Sequence, residues 1–248
     1  MLAANDLSLA GRLDRVTLAL RPGEVTAIVG PNGAGKSTLI AALAGLVRAG
    51  PVTLGEAPLA AITPRERARR IGYLPQAGEA AWDVSVRTLA GLGRLPWGDE
   101  DAAPVARALA ALDLAGLADR PLSTLSGGER ARAMLARVLA GTPRWLLADE
   151  PLAALDLAHR EALAATLRAL AADGMGVVVV LHDLALAMNH ADRVVVLGQG
   201  RVVADGPPDD ALSPAVIAAV WGVSARWLGA RGARALAVGP AAALSPGT

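Results

Sequence analysis

A single lysine stands among the chain's 24 basic residues; all the others are arginine. It is Lys36, within Gly30-Pro31-Asn32-Gly33-Ala34-Gly35-Lys36-Ser37-Thr38. The exception marks a place where a planar five-donor fork does not serve and a compact ammonium on a flexible stem does. The spacing G-x-x-x-x-G-K-[ST] describes a loop that wraps phosphate. Glycines let successive backbone N–H groups turn inward, the lysine reaches the β- and γ-phosphates, and the Ser37 hydroxyl can ligate Mg2+. A helix from about Lys36 to Leu46 is expected to add its positive N-terminal end. The preceding Glu24-Val25-Thr26-Ala27-Ile28-Val29 reads as a buried strand, so strand, loop and helix follow in the order this chemistry requires.

About 110 residues later, an apolar strand ends in two acids, Trp145-Leu146-Leu147-Ala148-Asp149-Glu150. Asp149 is placed to hold Mg2+, directly or through its water, and Glu150 to polarise an attacking water. His182 follows the strand Val177–Leu181 and can reach the γ-phosphate edge to orient Glu150 and that water. Gln76, one of two glutamines, ends the strand-and-turn stretch Ile71–Gln76 and can touch Mg2+ and sense the γ-phosphate. Leu125-Ser126-Gly127-Gly128-Glu129 offers a hydroxyl, two freed backbone amides and an immediate helix start, which makes a second anion-binding site. One nucleotide does not need two such sites in one subunit, so the sensible use of Ser126, Gly127 and Gly128 is on the nucleotide of a second copy. Asp156 can cap the next helix, touch the partner copy, or do both. His159 and His190 fall in expected helices and read as surface or packing residues.

These residues need a particular scaffold. Residues 1–23 are strand-rich. Residues 77–125 are mostly helical in pattern, with breaks at Pro96-Trp97-Gly98 and Arg120-Pro121, and a helix is expected from Glu129 to about Ala140. A helix over Leu157–Ala172 leads to the strand Val177–Leu181. Two short strands, Arg193–Leu197 and Arg201–Asp205, join through Gly198-Gln199-Gly200. Strands alternating with helices imply a mostly parallel sheet. The helical stretch of about 77–140, inserted between strand-borne motifs, implies a subdomain on that sheet. The domain is expected to end near residue 225, leaving 226–248 as a short C-terminal tail that is Ala/Gly/Pro-rich and peripheral after about Arg234.

Bulk composition narrows the alternatives. The 248 residues suffice for one large domain with ample core. A net charge of +1 offers no broad basic face to nucleic acid. The absence of cysteine excludes disulfides and thiolate metal sites. The longest strongly apolar run, near Gly176–Leu181, is far short of a membrane span. The N-terminus lacks the basic region of a signal peptide, so a soluble, cytoplasmic chain is expected.

In this order, the motifs resemble the ATP-binding subunit of an ABC transporter. Gly30–Thr38 is similar to Walker A, Gln76 to the Q-loop and Leu125–Glu129 to the signature. Asp149-Glu150 is similar to Walker B with its catalytic glutamate, Asp156 to the D-loop, and His182 to the switch histidine. The resemblance runs from about residue 5 to 225. It implies an α/β fold with a P-loop NTPase (RecA-like), mostly parallel sheet core, an N-terminal antiparallel β subdomain and a helical signature subdomain. It implies ATP and Mg2+, with Glu150, His182 and Gln76 in catalysis and Ser37, Gln76 and Asp149 around the metal. It implies a head-to-tail homodimer on two transmembrane permease subunits at the cytoplasmic face of the inner membrane, served by a periplasmic or surface substrate-binding protein. Val86–Trp97, with its Gly93-Arg94-Leu95-Pro96-Trp97, is similar to a segment of importers of iron-siderophores, haem and cobalamin, and Val220-Trp221-Gly222-Val223 resembles their common ending.

One departure has a consequence. The family usually stacks an upstream aromatic on adenine, and residues 1–30 contain none. Weak discrimination between ATP and GTP is expected, with Arg12 able to stack on the base instead. Trp82 and Trp97 lie in the segment that faces the membrane subunits in this family, and Trp97, between Pro96 and Gly98, is expected to be partly exposed. Trp145 is expected in the core.

Overall fold

A computed structural model describes residues 1–76 and 83–240. The chain runs β1 (Leu2–Leu9), β2 (Leu13–Leu20), β3 (Val25–Val29), α1 (Lys36–Leu43), β4 (Val52–Leu54), β5 (Ala57–Pro58), α2 (Pro64–Arg70) and β6 (Ile71–Leu74). It continues α3 (Val86–Gly91), α4 (Ala102–Ala111), α5 (Gly127–Ala140), β7 (Trp145–Asp149), α6 (Leu157–Ala172), β8 (Gly176–Val180) and α7 (Leu184–His190). It ends β9 (Arg193–Gly198), β10 (Arg201–Gly206), α8 (Pro208–Ala211), α9 (Pro214–Trp221), β11 (Ser224–Leu228) and β12 (Ala235–Gly239).

The central sheet has the order β10-β9-β3-β8-β7-β6 and is parallel except for β10. Every residue of β3, β7 and β8 is buried. Their near-continuous apolar runs follow from having both faces covered. Alternate side chains feed two cores. Val25, Ala27 and Val29 join Leu135, Leu139, Leu163 and Leu167 beneath α5 and α6. Ile28, Val178 and Val180 join Leu39 and Ile40 of α1 and the inner face of the antiparallel sheet β2-β1-β4-β5. Trp145 is fully buried in the second core, as expected, and packs so closely over Gly176 that a Cβ there would lie 2.3 Å from its ring. Register brings the chemistry to one edge: Asp149 pairs with Val180, and Ile28 pairs with both Val180 and Val195. Gly30, Asp149-Glu150 and His182 thus emerge together at the strands' C-terminal ends, where open α/β sheets bind ligands.

Two expectations change. The helix after the phosphate loop ends at Leu43, not Leu46. Gly45 adopts a left-handed φ of +70°, the usual way to stop a helix, and Leu46 is left 59% exposed. The stretch read as a peripheral tail is also structured. Strands β11 and β12 pair antiparallel from Ser224↔Gly239 to Leu228↔Ala235, so an end at 225 cuts through a hairpin. The hairpin is fastened to the body by the Trp227 indole, which donates to Leu212 O at 2.8 Å. The helices α3, α4 and α5 and the breaks near residues 96 and 121 lie where the sequence places them. Trp82 and residues 241–248 of the expected tail fall outside the described residues.

Candidate nucleotide-binding and hydrolysis site

The phosphate loop is shaped by its own chain. Gly30 has φ +153°, and a Cβ there would sit 2.2 Å from Leu197 O. Gly35, which precedes α1, has φ +98°, and its Cβ would meet Arg12 O at 2.4 Å. Both positions admit only glycine, because a neighbouring backbone occupies the space. The β1–β2 turn is locked to the loop through Gly200, whose N–H donates to Ala34 O and whose O accepts from Asp14 N. Lys36 is 6% exposed, and its Nζ donates to Gly30 O (2.8 Å) and Pro31 O (3.0 Å). Burial pushes its ammonium below the usual lysine range, against the pull of Glu150 and Asp149. A desolvated cation held by two carbonyls is ready for anionic oxygens.

Behind it lies Asp149, 3% exposed, with Oδ1 buried and lacking a hydrogen-bond partner. Burial raises its carboxyl above the ordinary range, and Ser37 opposes that rise. An orphaned buried carboxylate oxygen beside a serine hydroxyl fits a small hard cation, whose charge would offset the lost hydration. Among the described residues no cluster of three or more His, Cys, Asp or Glu forms a cage. The donor set therefore suits Mg2+ shared with phosphates, through Ser37 and Asp149.

Glu150 takes φ +53°, an uncommon conformation for a non-glycine residue, and its N–H donates to Val180 O at 3.2 Å. The turn aims the carboxylate back across the strand ends, where Oε1 is hydrogen-bonded to His182 Nε2. The Glu150 side chain is 12% exposed and that of His182 47%. A pocket of about 550 Å3 brings together Asn32, Gly33, Ala34, Gly35, Lys36, Ser37, Thr38, Gln76, Glu150 and His182. Arg12 also lines it. A neighbouring cavity of about 360 Å3 shares Gln76 and Glu150 with this pocket and reaches Asp149, Gly127 and Arg130.

Of the signature residues Gly127 alone borders this second cavity, and none lines the phosphate pocket. Ser126 caps α5: its Oγ accepts from Glu129 N (3.3 Å), and the Glu129 carboxylate accepts from Ser126 N (2.8 Å). A Cβ on Gly127 would meet nothing within 4 Å, and one on Gly128 would meet Leu155 Cδ2 at 3.3 Å. Asp156 caps α6, accepting from His159 N (2.9 Å), with His159 Nδ1 also at 2.8 Å. Its side chain remains two-thirds exposed. Gly30 and Pro31 shape the loop, while Ser126, Gly127, Gly128 and Asp156 stand outside the pocket of this chain. His159 is exposed on α6, and His190 sits at the end of α7, paired with Glu161 at 3.3 Å.

Beside the site, a groove of about 430 Å3 runs between the core and the helical subdomain, lined by Leu46, Arg67, Tyr73, Leu92, Leu95 and Arg137. Leu95 is 71% exposed. The adjoining Gly93-Arg94-Leu95-Pro96-Trp97 fastens the C-terminal end of α5. A Cβ on Gly93 would lie 2.0 Å from Arg137 O. The buried Arg94 donates to Ala140 O and forms a two-pronged pair with Asp99. Trp97 is half-buried, as expected, but its indole donates to Gly141 O (2.9 Å) and lies between Arg69 and Arg94. The most exposed apolar side chain of this turn is Leu95. Its isolation among Gly, Arg and Pro was the available signal.

The ABC transporter family model matches residues 13–153. The hemin import ATP-binding protein HmuV of Rhodococcus jostii is 49% identical over 217 residues, covering 85% of this chain and 74% of that protein. A solved structure described as an inward-facing metal-chelate type ABC transporter is similar with TM-score 0.81 at 25% identity, over 96% of both chains. A dimeric bacterial ABC transporter cassette gives TM-score 0.73 at 25% identity, over 84% of this chain and 99% of that one. With a phosphate loop, an acidic pair and a histidine gathered at one sheet edge, the chain belongs to the ABC transporter family, as an ATP-binding subunit that hydrolyses ATP.

Proposed function

We propose that this chain energises the import of a metal chelate, haem foremost, as one of two identical ATPase subunits on a pair of permease subunits at the cytoplasmic face of the membrane. The observation that carries the ATPase part is the pocket in which Lys36, Ser37, Gln76, Glu150 and His182 converge. Haem is favoured because the similar proteins are hemin import subunits. Among the described residues no helix is long and apolar enough to cross a membrane, so passage belongs to partners. The groove flanked by Leu46, Leu92 and Leu95 is the surface on which a permease helix would seat.

In this mechanism the loop amides and Lys36 hold the triphosphate, and Gln76 stands at the γ-phosphate side. Ser37 and Asp149 would hold Mg2+, which when bound would neutralise charge on the phosphates. Glu150 accepts a hydrogen bond from the attacking water and takes its proton, and His182 holds the Glu150 carboxylate in place. Ser126, Gly127 and Gly128 of a second copy complete the ring of donors around the γ-phosphate, with Asp156 at the seam.

Capture of the chain from detergent-solubilised native membranes tests the partner assignment. A polytopic permease should co-purify, and a strain lacking this chain should lose growth on haem as sole iron source. Recovery of ribosomes or DNA-repair proteins would overturn the transport reading. Loss of growth on a siderophore or of cobalamin uptake, with haem use intact, would replace the cargo.

A further inference from the structure

The histidine of the site is joined to the body through a short helix. The His182 side chain is 47% exposed, and it precedes the seven-residue helix α7. A helix so short does not hold its own position in water. Its first turn is capped by Asp183, whose Oδ1 accepts from Ala185 N (2.8 Å) and Leu186 N (3.2 Å). Leu186, Ala187 and Met188 anchor its middle in the core. Its far end is gripped by the C-terminal hairpin. Asn189 Nδ2 donates to Arg234 O (2.9 Å), and Asn189 Oδ1 accepts from Arg234 N (2.8 Å). These two bonds span 45 residues and use the main chain of Arg234 alone. The turn that presents it has left-handed glycines at Gly229 (φ +89°) and Gly232 (φ +84°) and is closed by Ala233 N donating to Ala230 O. The Arg234 side chain extends separately to Asp209 and to Met188 Sδ.

We infer that the C-terminal hairpin is a clamp on α7, and that Asn189 is a positioning residue for hydrolysis, setting through the helix where His182 meets Glu150. The inference rests on the reading of Glu150 and His182 as the hydrolytic pair. Helix α7 is about 10 Å long and moves as one piece, so an Asn189 amide freed from the hairpin lets both its ends shift together. A displacement of about 1 Å at a reacting group can cost up to roughly a hundredfold in rate. The phosphate loop joins β3 to α1, elements separate from the hairpin, so nucleotide affinity should change little.

The test is ATPase kinetics on the full chain in its transporter complex with Asn189→Ala, Asn189→Asp, Arg234→Ala and His182→Ala, together with the double variant Asn189→Ala/His182→Ala. Asn189→Ala should lower kcat roughly tenfold or more with KM for ATP within twofold. Asn189→Asp keeps the acceptor and loses the donor, so it should fall between Asn189→Ala and the parent. Arg234→Ala keeps both main-chain bonds, loses only the side-chain contacts with Asp209 and Met188, and should cost less than Asn189→Ala. In the His182→Ala background, Asn189→Ala should cost nothing further, because the two act on one term. A parent-like kcat in both Asn189 variants, or full additivity with His182→Ala, overturns the clamp. A parent-like kcat in His182→Ala overturns the underlying pair instead. If Asn189→Ala does not fold, the ranking of Asn189→Asp against Arg234→Ala decides.

Discussion

The two glycine-rich segments look alike in sequence and differ in what explains them. At the phosphate loop the chain itself forbids a side chain: Leu197 O crowds Gly30 and Arg12 O crowds Gly35. Lys36 and Asp149 are buried there, and the pocket is lined by elements of this chain. At the signature, Gly127 faces open space and ordinary helix geometry, and nothing among the described residues within 4 Å of its would-be Cβ requires a glycine. One segment is a finished half-site. The other, on the proposed reading, is a surface kept bare for the nucleotide of a second copy. On the proposed reading, fold stability constrains the first face, and assembly and catalysis bear more on the second.

The largest effect should come from Glu150→Gln, the residue both faces serve. ATP should still bind, hydrolysis should slow by roughly 10² or more, and the dimer should accumulate closed around nucleotide. Near-parent turnover in stopped assays would remove Glu150 from the role of base. Gly127→Asp should also slow hydrolysis by roughly 10², through negative charge aimed at the partner's nucleotide. An acidic residue suits the first turn of α5, so melting should show no loss of stability. Gly30→Ala should do the reverse and destabilise the chain itself by about 1–3 kcal/mol in urea unfolding. Equal stability losses in the two glycine variants would erase the contrast.

A smaller effect separates burial from function at Asp149. Its carboxyl titrates above the ordinary range because it is buried, so the folded chain binds that proton more readily than the unfolded one. The ionised form therefore costs stability in full above the raised pKa, and that cost fades as pH falls through it toward the unfolded value. Asn at this position should raise the nucleotide-free Tm by roughly 2–4 °C at neutral pH. The gain should shrink on acidification, and Mg2+-ATP should no longer stabilise the variant as it does the parent. A Tm gain that grows toward low pH contradicts the assignment. The smallest effect is at the base. Arg12 lines the pocket where no aromatic is available, so ATP and GTP affinities should differ by less than about tenfold, and Arg12→Ala should weaken both alike. Calorimetric titration with each nucleotide reads this directly.

The phosphate loop, acidic pair and histidine were legible in sequence because charge chemistry dictates both residue type and strand-end placement. The reciprocal cap of Ser126 and Glu129 was latent in their spacing of three. The C-terminal hairpin was not legible. Ala235-Leu236-Ala237-Val238-Gly239 has little β-branching and no polar alternation, and its reason to fold is tertiary, through Trp227 on Leu212 and Arg234 on Asn189. The overrun of α1 has a local cause, since Gly45 reads as one more small residue until its left-handed φ is seen. Trp97 was legible as a half-exposed residue but not as a spent one, because Arg69 and Gly141 reach it from distant parts of the chain.

The central claim is that a working site joins the phosphate loop of one chain to the signature of another. Mixing two dead variants tests it most directly. Lys36→Ala spoils only the loop, and Gly127→Asp spoils only the signature. In a mixed pair, one site carries both defects and the other carries neither. The account predicts that each variant alone is inactive and that the mixture recovers ATPase activity as mixed dimers form. Mixed dimers that assemble and stay inactive, alongside a parent chain that hydrolyses ATP as a monomer, would contradict it.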